Sequence, residues 1–199
     1  SVGNYVSFTV PSLRYWDMIY VKRTFIAPSG PKYEAESAIK TAVGTNTDHT
    51  GYSGTGFVDG FETLNDSVSF FVDAPTADDY YLRFRYANAT GSTATRDVYV
   101  DGQLAGRVSM KSLANWDTWG NGVLTVRLSP GLHHVVFLFG ATNATAINLD
   151  YLEVNKAYVW SFATKVDRLP ENYYLTLRVG ASGYVHWGTN NWTGVTQTW

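Results

Sequence analysis

Glu34 and Glu36 stand one residue apart in Tyr33-Glu34-Ala35-Glu36-Ser37, a short run leaving a Pro/Gly turn. Alternate side chains of a strand share a face, so the two carboxylates could hold one hard cation between them. Far downstream, Asn148-Leu149-Asp150-Tyr151-Leu152 also reads as a strand with an acid among apolar residues. An acid pair at one end of a β-domain and a lone Asp at the other is the pattern of a calcium staple. Calcium takes roughly six to eight oxygens, so backbone carbonyls would have to complete the set. The same spacing also suits three solvated strand acids, and spacing alone leaves both readings open.

A second group is aromatic. Asn115-Trp116-Asp117-Thr118-Trp119-Gly120-Asn121-Gly122 places two Trp among Asn, Asp and Gly, where a sandwich would join strands at its rim. A sugar presents a flat face of C–H bonds to an aromatic ring, and its hydroxyls need amide or carboxylate partners at the edge. The competing reading puts one Trp in the core with the other shielding it. Upstream, Gly51-Tyr52-Ser53-Gly54-Thr55-Gly56-Phe57-Val58-Asp59-Gly60-Phe61 makes a tight glycine loop. It lacks the Lys-Ser/Thr ending and following helix of a phosphate loop. Phe57 and Phe61 read as core residues and Tyr52 as a surface one.

Catalytic constellations are weak. Acids are plentiful, but nothing singles out a hydrolytic pair. Adjacent strand residues His133 and His134 put their rings on opposite faces, which is poor geometry for one metal. His49 and His186 have no ligand partner at useful spacing, and no Gly-x-Ser-x-Gly elbow occurs.

The elements that must carry these groups are strands. The 199 residues are 45% hydrophobic and 16% aromatic, with 16% charged and a net charge of −2. That balance gives no basic footprint for nucleic acid. No apolar run approaches the roughly 18 residues of a membrane span. Cysteine is absent, which excludes disulfides and thiolate zinc sites. No signal peptide is visible, and the chain opens mid-pattern at Ser1-Val2-Gly3, as a fragment of a longer protein would. Four Asn-x-Ser/Thr triplets, at Asn65, Asn88, Asn143 and Asn191, read as chance in an Asn- and Thr-rich chain.

No segment shows helical periodicity, and alternation with turn residues dominates. Residues 1–27 read as closing strands of a preceding β-domain, from the alternation Val6 to Val10 and the apolar run Trp16 to Arg23. A linker follows at 28–31. Strands then appear at Ser67 to Asp73, Tyr80 to Ala87, Arg96 to Val100, Gly122 to Leu128, Leu132 to Phe139 and Ile147 to Val154. Leu82, Phe84 and Tyr86 should share one face, with Arg83 and Arg85 opposite. Asp101-Gly102 is a hairpin signal. Short strands with regular turns indicate an all-β sandwich over 32–156. Residues 157–199 form a further β segment, too short for an independent core.

Taken in order, the Glu34/Glu36 run, the glycine loop, Trp116-Asp117-Thr118-Trp119, Leu128-Ser129-Pro130-Gly131-Leu132-His133 and Ile147 to Leu152 resemble a family 35 carbohydrate-binding module. Family 6 modules share much of this pattern. The resemblance implies a jelly-roll-like β-sandwich with a structural calcium, and maps the metal ligands onto Glu34, Glu36 and Asp150. It maps the carbohydrate-binding residues onto Tyr52, Trp119, Trp116 and Asn148, with Asn143 in the same loop as Asn148. The first flank resembles the end of a β-domain that follows a dextran-active hydrolase barrel. Val185 to Trp192 resembles the opening of a starch-binding module. Together they imply a non-catalytic module that tethers a secreted bacterial glycoside hydrolase or glucanotransferase to α-glucan. Its partners would be the glycan and the neighbouring domains of that enzyme, with no nucleic acid and no membrane. A piece of a catalytic domain, or a spacer between domains, is the alternative.

Overall fold

The computed structural model describes residues 30–160 and, as backbone strands only, 175–177, 185–189 and 194–198. The readings at Val6 to Val10, at Trp16 to Arg23 and at residues 28–29 lie outside the described residues, as do most of 157–199. The strands, in chain order, are β1 (Lys32–Glu34), β2 (Ile39–Thr41), β3 (Gly44–Asn46), β4 (Phe57–Phe61), β5 (Ser67–Ala74), β6 (Asp78–Ala87), β7 (Ala94–Val100), β8 (Gln103–Met110), β9 (Gly120–Leu128), β10 (Gly131–Leu138) and β11 (Ile147–Lys156). Short pairs follow: β12 (Tyr158–Trp160) with β13 (Leu175–Leu177), and β14 (Val185–Thr189) with β15 (Gly194–Thr198). Among the described residues there is no α-helix.

The first eleven strands make two antiparallel sheets. One runs β3-β4-β11-β6-β9, and β1 takes the remainder of the β11 edge that β4 leaves. The other runs β2-β5-β10-β7-β8. Alternation decides what lies between them. Leu82, Phe84 and Tyr86 of β6 are buried, while Arg83 and Arg85 point outward, as the sequence pattern requires. Phe137 of β10 stacks on Phe84 of the opposite sheet at 4.1 Å and meets Phe61 edge-on at 5.7 Å, so the two layers interlock through rings.

One expectation is corrected. Glu34 and Glu36 do not alternate along one strand. β1 ends at Glu34, and Ala35–Ser37 is a single 3-10 turn in which Ala38 N–H donates to Ala35 C=O at 3.1 Å. Here the chain leaves β11 in one sheet to pair with β5 in the other, and burial of Ala35 fixes the turn.

Arg96 of β7 is fully buried. Its guanidinium lies between the rings of Phe61 and Phe139, at 4.6 and 4.5 Å. It donates to the carbonyls of Thr95, Ala144, Thr145 and Phe61. Burial lowers its pKa from the ordinary arginine value to about 9, with Asp66 offsetting part of the fall, so it stays charged at neutral pH.

At the end where β7 turns into β8, Asp101 and Gly102 take positive φ. Asp101 receives His133 Nδ1–H at 2.6 Å, and His133 Nε2–H donates to Ser129 C=O at 2.9 Å. An imidazole that donates from both nitrogens is protonated. The Ser129 carbonyl and the Asp101 carboxylate raise the His133 pKa, and His133 lowers that of Asp101. A raised folded pKa means the contribution is complete below the unfolded value of about 6.5 and is lost as pH rises through the folded value. Raising the pH from 6 to 9 is therefore expected to lower the urea midpoint of the protein more than that of His133→Gln. The difference should correspond to under about 1 kcal/mol, since Asp101 is half exposed. Equal pH dependence in the two proteins would show that the imidazolium contributes nothing.

Candidate functional site

The loop between β3 and β4 collects every acid singled out in the sequence. Gly51 and Gly54 take positive φ, which lets the loop turn back over the end of β11. Ser53 N–H donates to Asp150 Oδ1 at 2.9 Å, and its hydroxyl reaches Glu34 Oε1 and Oε2 at 2.6 and 2.7 Å. Thr55 N–H donates to Glu36 Oε1 at 2.8 Å.

Asp150 is the extra residue where β11 slips register against β6, between Leu149 and Tyr151. Such a bulge re-aims a side chain and here turns a strand acid toward the loop. Asp150 is fully buried. Its second oxygen pairs with Arg85 Nη1, and Arg85 Nη2 donates to Gly51 C=O at 2.9 Å. Burial raises the Asp150 carboxyl above its ordinary value; Ser53 and Arg85 pull it down, and the Glu34 charge adds to the rise.

Two observations fit a hard cation at these acids. Glu36 Oε2 is buried without a hydrogen-bond partner. A Cβ on Gly54 would stand 2.2 Å from Glu36 Oε1 and 3.2 Å from Glu34 Cδ, so the glycine leaves open the space both carboxylates border. Glu36 also lines a cavity of about 280 Å³ with Thr45, Asn46, Thr47, Thr55 and Gly56. Among the described residues, no group of three or more acid or imidazole side chains stands at metal-holding spacing. Asp150 faces Arg85 and Ser53, while the two glutamates face the hydroxyls and amides of Ser53 and Thr55.

The aromatic residues meet on the same loop. Phe57 is the buried hub, with Tyr52 and Trp119 both 5.6 Å from its ring and His49 at 5.9 Å. His49 stacks on Trp116 at 6.2 Å. Trp119 Nε1–H donates to Thr50 C=O at 2.8 Å, and Asp117 Oδ1 accepts from Thr50 N–H at 2.7 Å. These contacts bind the Trp-x-x-Trp loop to the glycine loop, and the Thr50 amide holds the Asp117 carboxyl below its ordinary value. Both Trp and Tyr52 are half-buried. Phe57 fills the core place beneath the loop, and both indoles stay partly open at the rim.

Tyr52, Trp116 and Trp119 are therefore brought together. Asn148 is not presented in the same way: it lies on β11 opposite Ala87 and is 5% exposed. Asn143 is occupied, its Oδ1 accepting from the N–H groups of Asp97 and Gly140. Asn88 is fully buried with its amide nitrogen bonded to carbonyls, so that triplet offers no accessible acceptor. Sequence reasoning missed Arg85 as a site residue. Its guanidinium lies 5.2 Å over Trp119 and 5.6 Å over Tyr151 while holding Asp150. The available signal was its outward position on β6; its neighbours depend on sheet register, which the sequence does not display.

Arg85→Met is expected to cost about 3–5 kcal/mol of folding stability, because it strands a buried carboxylate. It should also shift the near-ultraviolet circular dichroism of the indoles. A urea midpoint within error of the parent would show that Asp150 is not held by this pair.

Residues 31–157 match the sequence model of the family described as "Carbohydrate binding module (family 35)". A cycloisomaltooligosaccharide glucanotransferase of Niallia circulans is 58% identical over 98% of this chain, which spans 20% of that protein. The chain thus covers about a fifth of the length of such relatives. A Paenibacillus cycloisomaltooligosaccharide glucanotransferase complexed with cycloisomaltoheptaose superposes with a TM-score of 0.61 at 39% identity, over 66% of this chain and 19% of that one. A family 35 carbohydrate-binding module from Clostridium thermocellum superposes with a TM-score of 0.59 at 28% identity, over 64% of this chain and 98% of that one.

Proposed function

The chain belongs to carbohydrate-binding module family 35, and from that premise we propose that it grips α-glucan through Tyr52, Trp116 and Trp119 without altering it. The observation that carries this reading is the rim itself. Tyr52 and Trp119 rest on the buried Phe57, Trp116 stacks on His49 beside it, and the Trp119 indole is fastened to the Thr50 carbonyl. Such rings lose little freedom when a sugar face stacks on them, so the contact is not offset by ordering. Asp117, Asn115 and the Thr50 hydroxyl supply polar groups beside the rings.

An α-1,6-linked ligand is favoured by relatives named cycloisomaltooligosaccharide glucanotransferase and 1,6-alpha-glucosyltransferase, and by the cycloisomaltoheptaose in the Paenibacillus structure. The module would then hold a larger enzyme at polysaccharide outside the cell. In isothermal titration with isomalto-oligosaccharides, Trp119→Ala is expected to weaken binding at least about tenfold, a change of ~1.4 kcal/mol. Its thermal midpoint should stay within a few degrees of the parent, because a half-open rim residue adds little to the core. Unaltered affinity would place the site elsewhere. Absence of heat with any glycan would favour a spacer role, and turnover of the glycan would assign a catalytic one.

The same reading includes a structural calcium ion at Glu34, Glu36 and Asp150. The unpartnered Glu36 Oε2 and the space left at Gly54 support it. The ion would tie the 3-10 turn, the glycine loop and β11 into one unit. Calcium at about one hundred times its Kd should stabilise the protein by about 2.7 kcal/mol. Glu36→Gln should abolish that gain, as measured by melting with and without chelator. An equal gain in both proteins would move the ion away from Glu36.

A further inference from the structure

The two outer sheet faces differ in kind. The outer face of the sheet containing β6 and β11 is a charged lattice, with Lys32, Arg83, Glu153 and Arg127 along it. The outer face of the other sheet carries an apolar patch, beside the Asp97–Arg107 pair. Ile39 is 58% exposed, Phe71 51%, Leu104 60% and Leu132 67%, and each lies on a different strand of that sheet. Register joins them into a surface. Ile39, Ser69, Val136, Tyr99 and Leu104 form one row across all five strands. Phe71 stacks on His134 in the next row at 4.9 Å, and Leu132 follows opposite Asp73. Contiguous exposed apolar rows of this kind mark contact surfaces rather than solvated ones.

Their position says what they meet. Met110, the last residue of β8, leads into the Trp-x-x-Trp loop, so Leu104 at its start lies toward the opposite end. Leu132 and Phe71 also lie toward that end, near the β5–β6 and β9–β10 turns. The chain reaches and leaves the sandwich there too: Val154 N–H donates to Pro31 C=O at 3.1 Å, and Ala157 N–H to Asp79 C=O at 2.7 Å. About four fifths of the length of the relatives lies outside this chain.

We propose that the apolar face of the β2-β5-β10-β7-β8 sheet docks onto an apolar, weakly charged surface of a neighbouring domain in the same polypeptide. A domain joined at that end is held close to this face at high effective concentration, so a modest interface suffices. Docking there leaves the aromatic rim, at the other end, open to ligand. This assignment does not depend on what the rim binds.

This chain contains no cysteine, so a thiol introduced into it is read from its own peptide. In the full-length protein, Leu104→Cys, Phe71→Cys and, as a reference on the opposite sheet, Asn121→Cys are labelled with N-ethylmaleimide and read by peptide mass spectrometry. The first two should react roughly tenfold more slowly than the reference, because reaction must wait for undocking. The protection should be independent of protein concentration. Adding Leu132→Asp should restore the rate at Leu104→Cys while the reference rate stays unchanged, showing that the sandwich remains folded. Equal rates at the three positions overturn the proposal, as does protection that survives Leu132→Asp. Protection that grows with protein concentration assigns the face to a second copy, and protection that requires added isomalto-oligosaccharide assigns it to sugar; either result also overturns it.

Discussion

A carboxylate with no exposed surface sits where β11 exchanges one edge partner for another, and the loop end of the sandwich is built around supplying it with donors. Asp150 lies at that change because β4 and β1 share one edge of β11 in succession. A regular ladder would point its side chain along the alternation, whereas the bulge turns it into the gap. The Ser53 amide and the Arg85 guanidinium then converge on it. Leaving such a group unpaired in a low-dielectric interior would cost several kcal/mol, more than any rim contact contributes. The glycine loop therefore has one place to lie, and the rings it carries inherit that placement.

Arg85 links what would otherwise be two sites. One end of its guanidinium answers Asp150 and the Gly51 carbonyl, and its plane lies near Trp119 and Tyr151. Thr50 performs the matching task on the other side, with its carbonyl on Trp119 and its amide on Asp117. The acids and the aromatics are thus one connected structure, in which a change of charge at the carboxylates is felt at the indoles through two or three bonded contacts.

The fold was legible wherever alternation is strong. β6 carries Tyr80, Leu82, Phe84 and Tyr86 at every second position, and its inward face follows from that alone. β8 was not legible, because Leu104, Ala105 and Arg107 stand open and only Val108 and Met110 reach the core. β2 and β3 have three residues each, too few for a pattern. Glu36 was misplaced on a strand because residue types do not reveal a crossing between sheets. At the site, Tyr52, Trp116 and Trp119 could be identified by type and setting. Arg85, His49 and Thr50 could not, since their roles rest on which strands and loops become neighbours.

The way β1 and β11 lie together has a mechanical consequence. β1 runs into the sandwich and β11 runs out beside it, antiparallel, with Lys32 opposite Glu153 at the mouth. Tension drawn between the two connections would pull these strands apart like a zipper, parting Lys32–Glu153 first, then Tyr33–Leu152, then Glu34–Tyr151. Such a joint yields rung by rung at low force, and the third rung brings the strain to the residue beside Asp150.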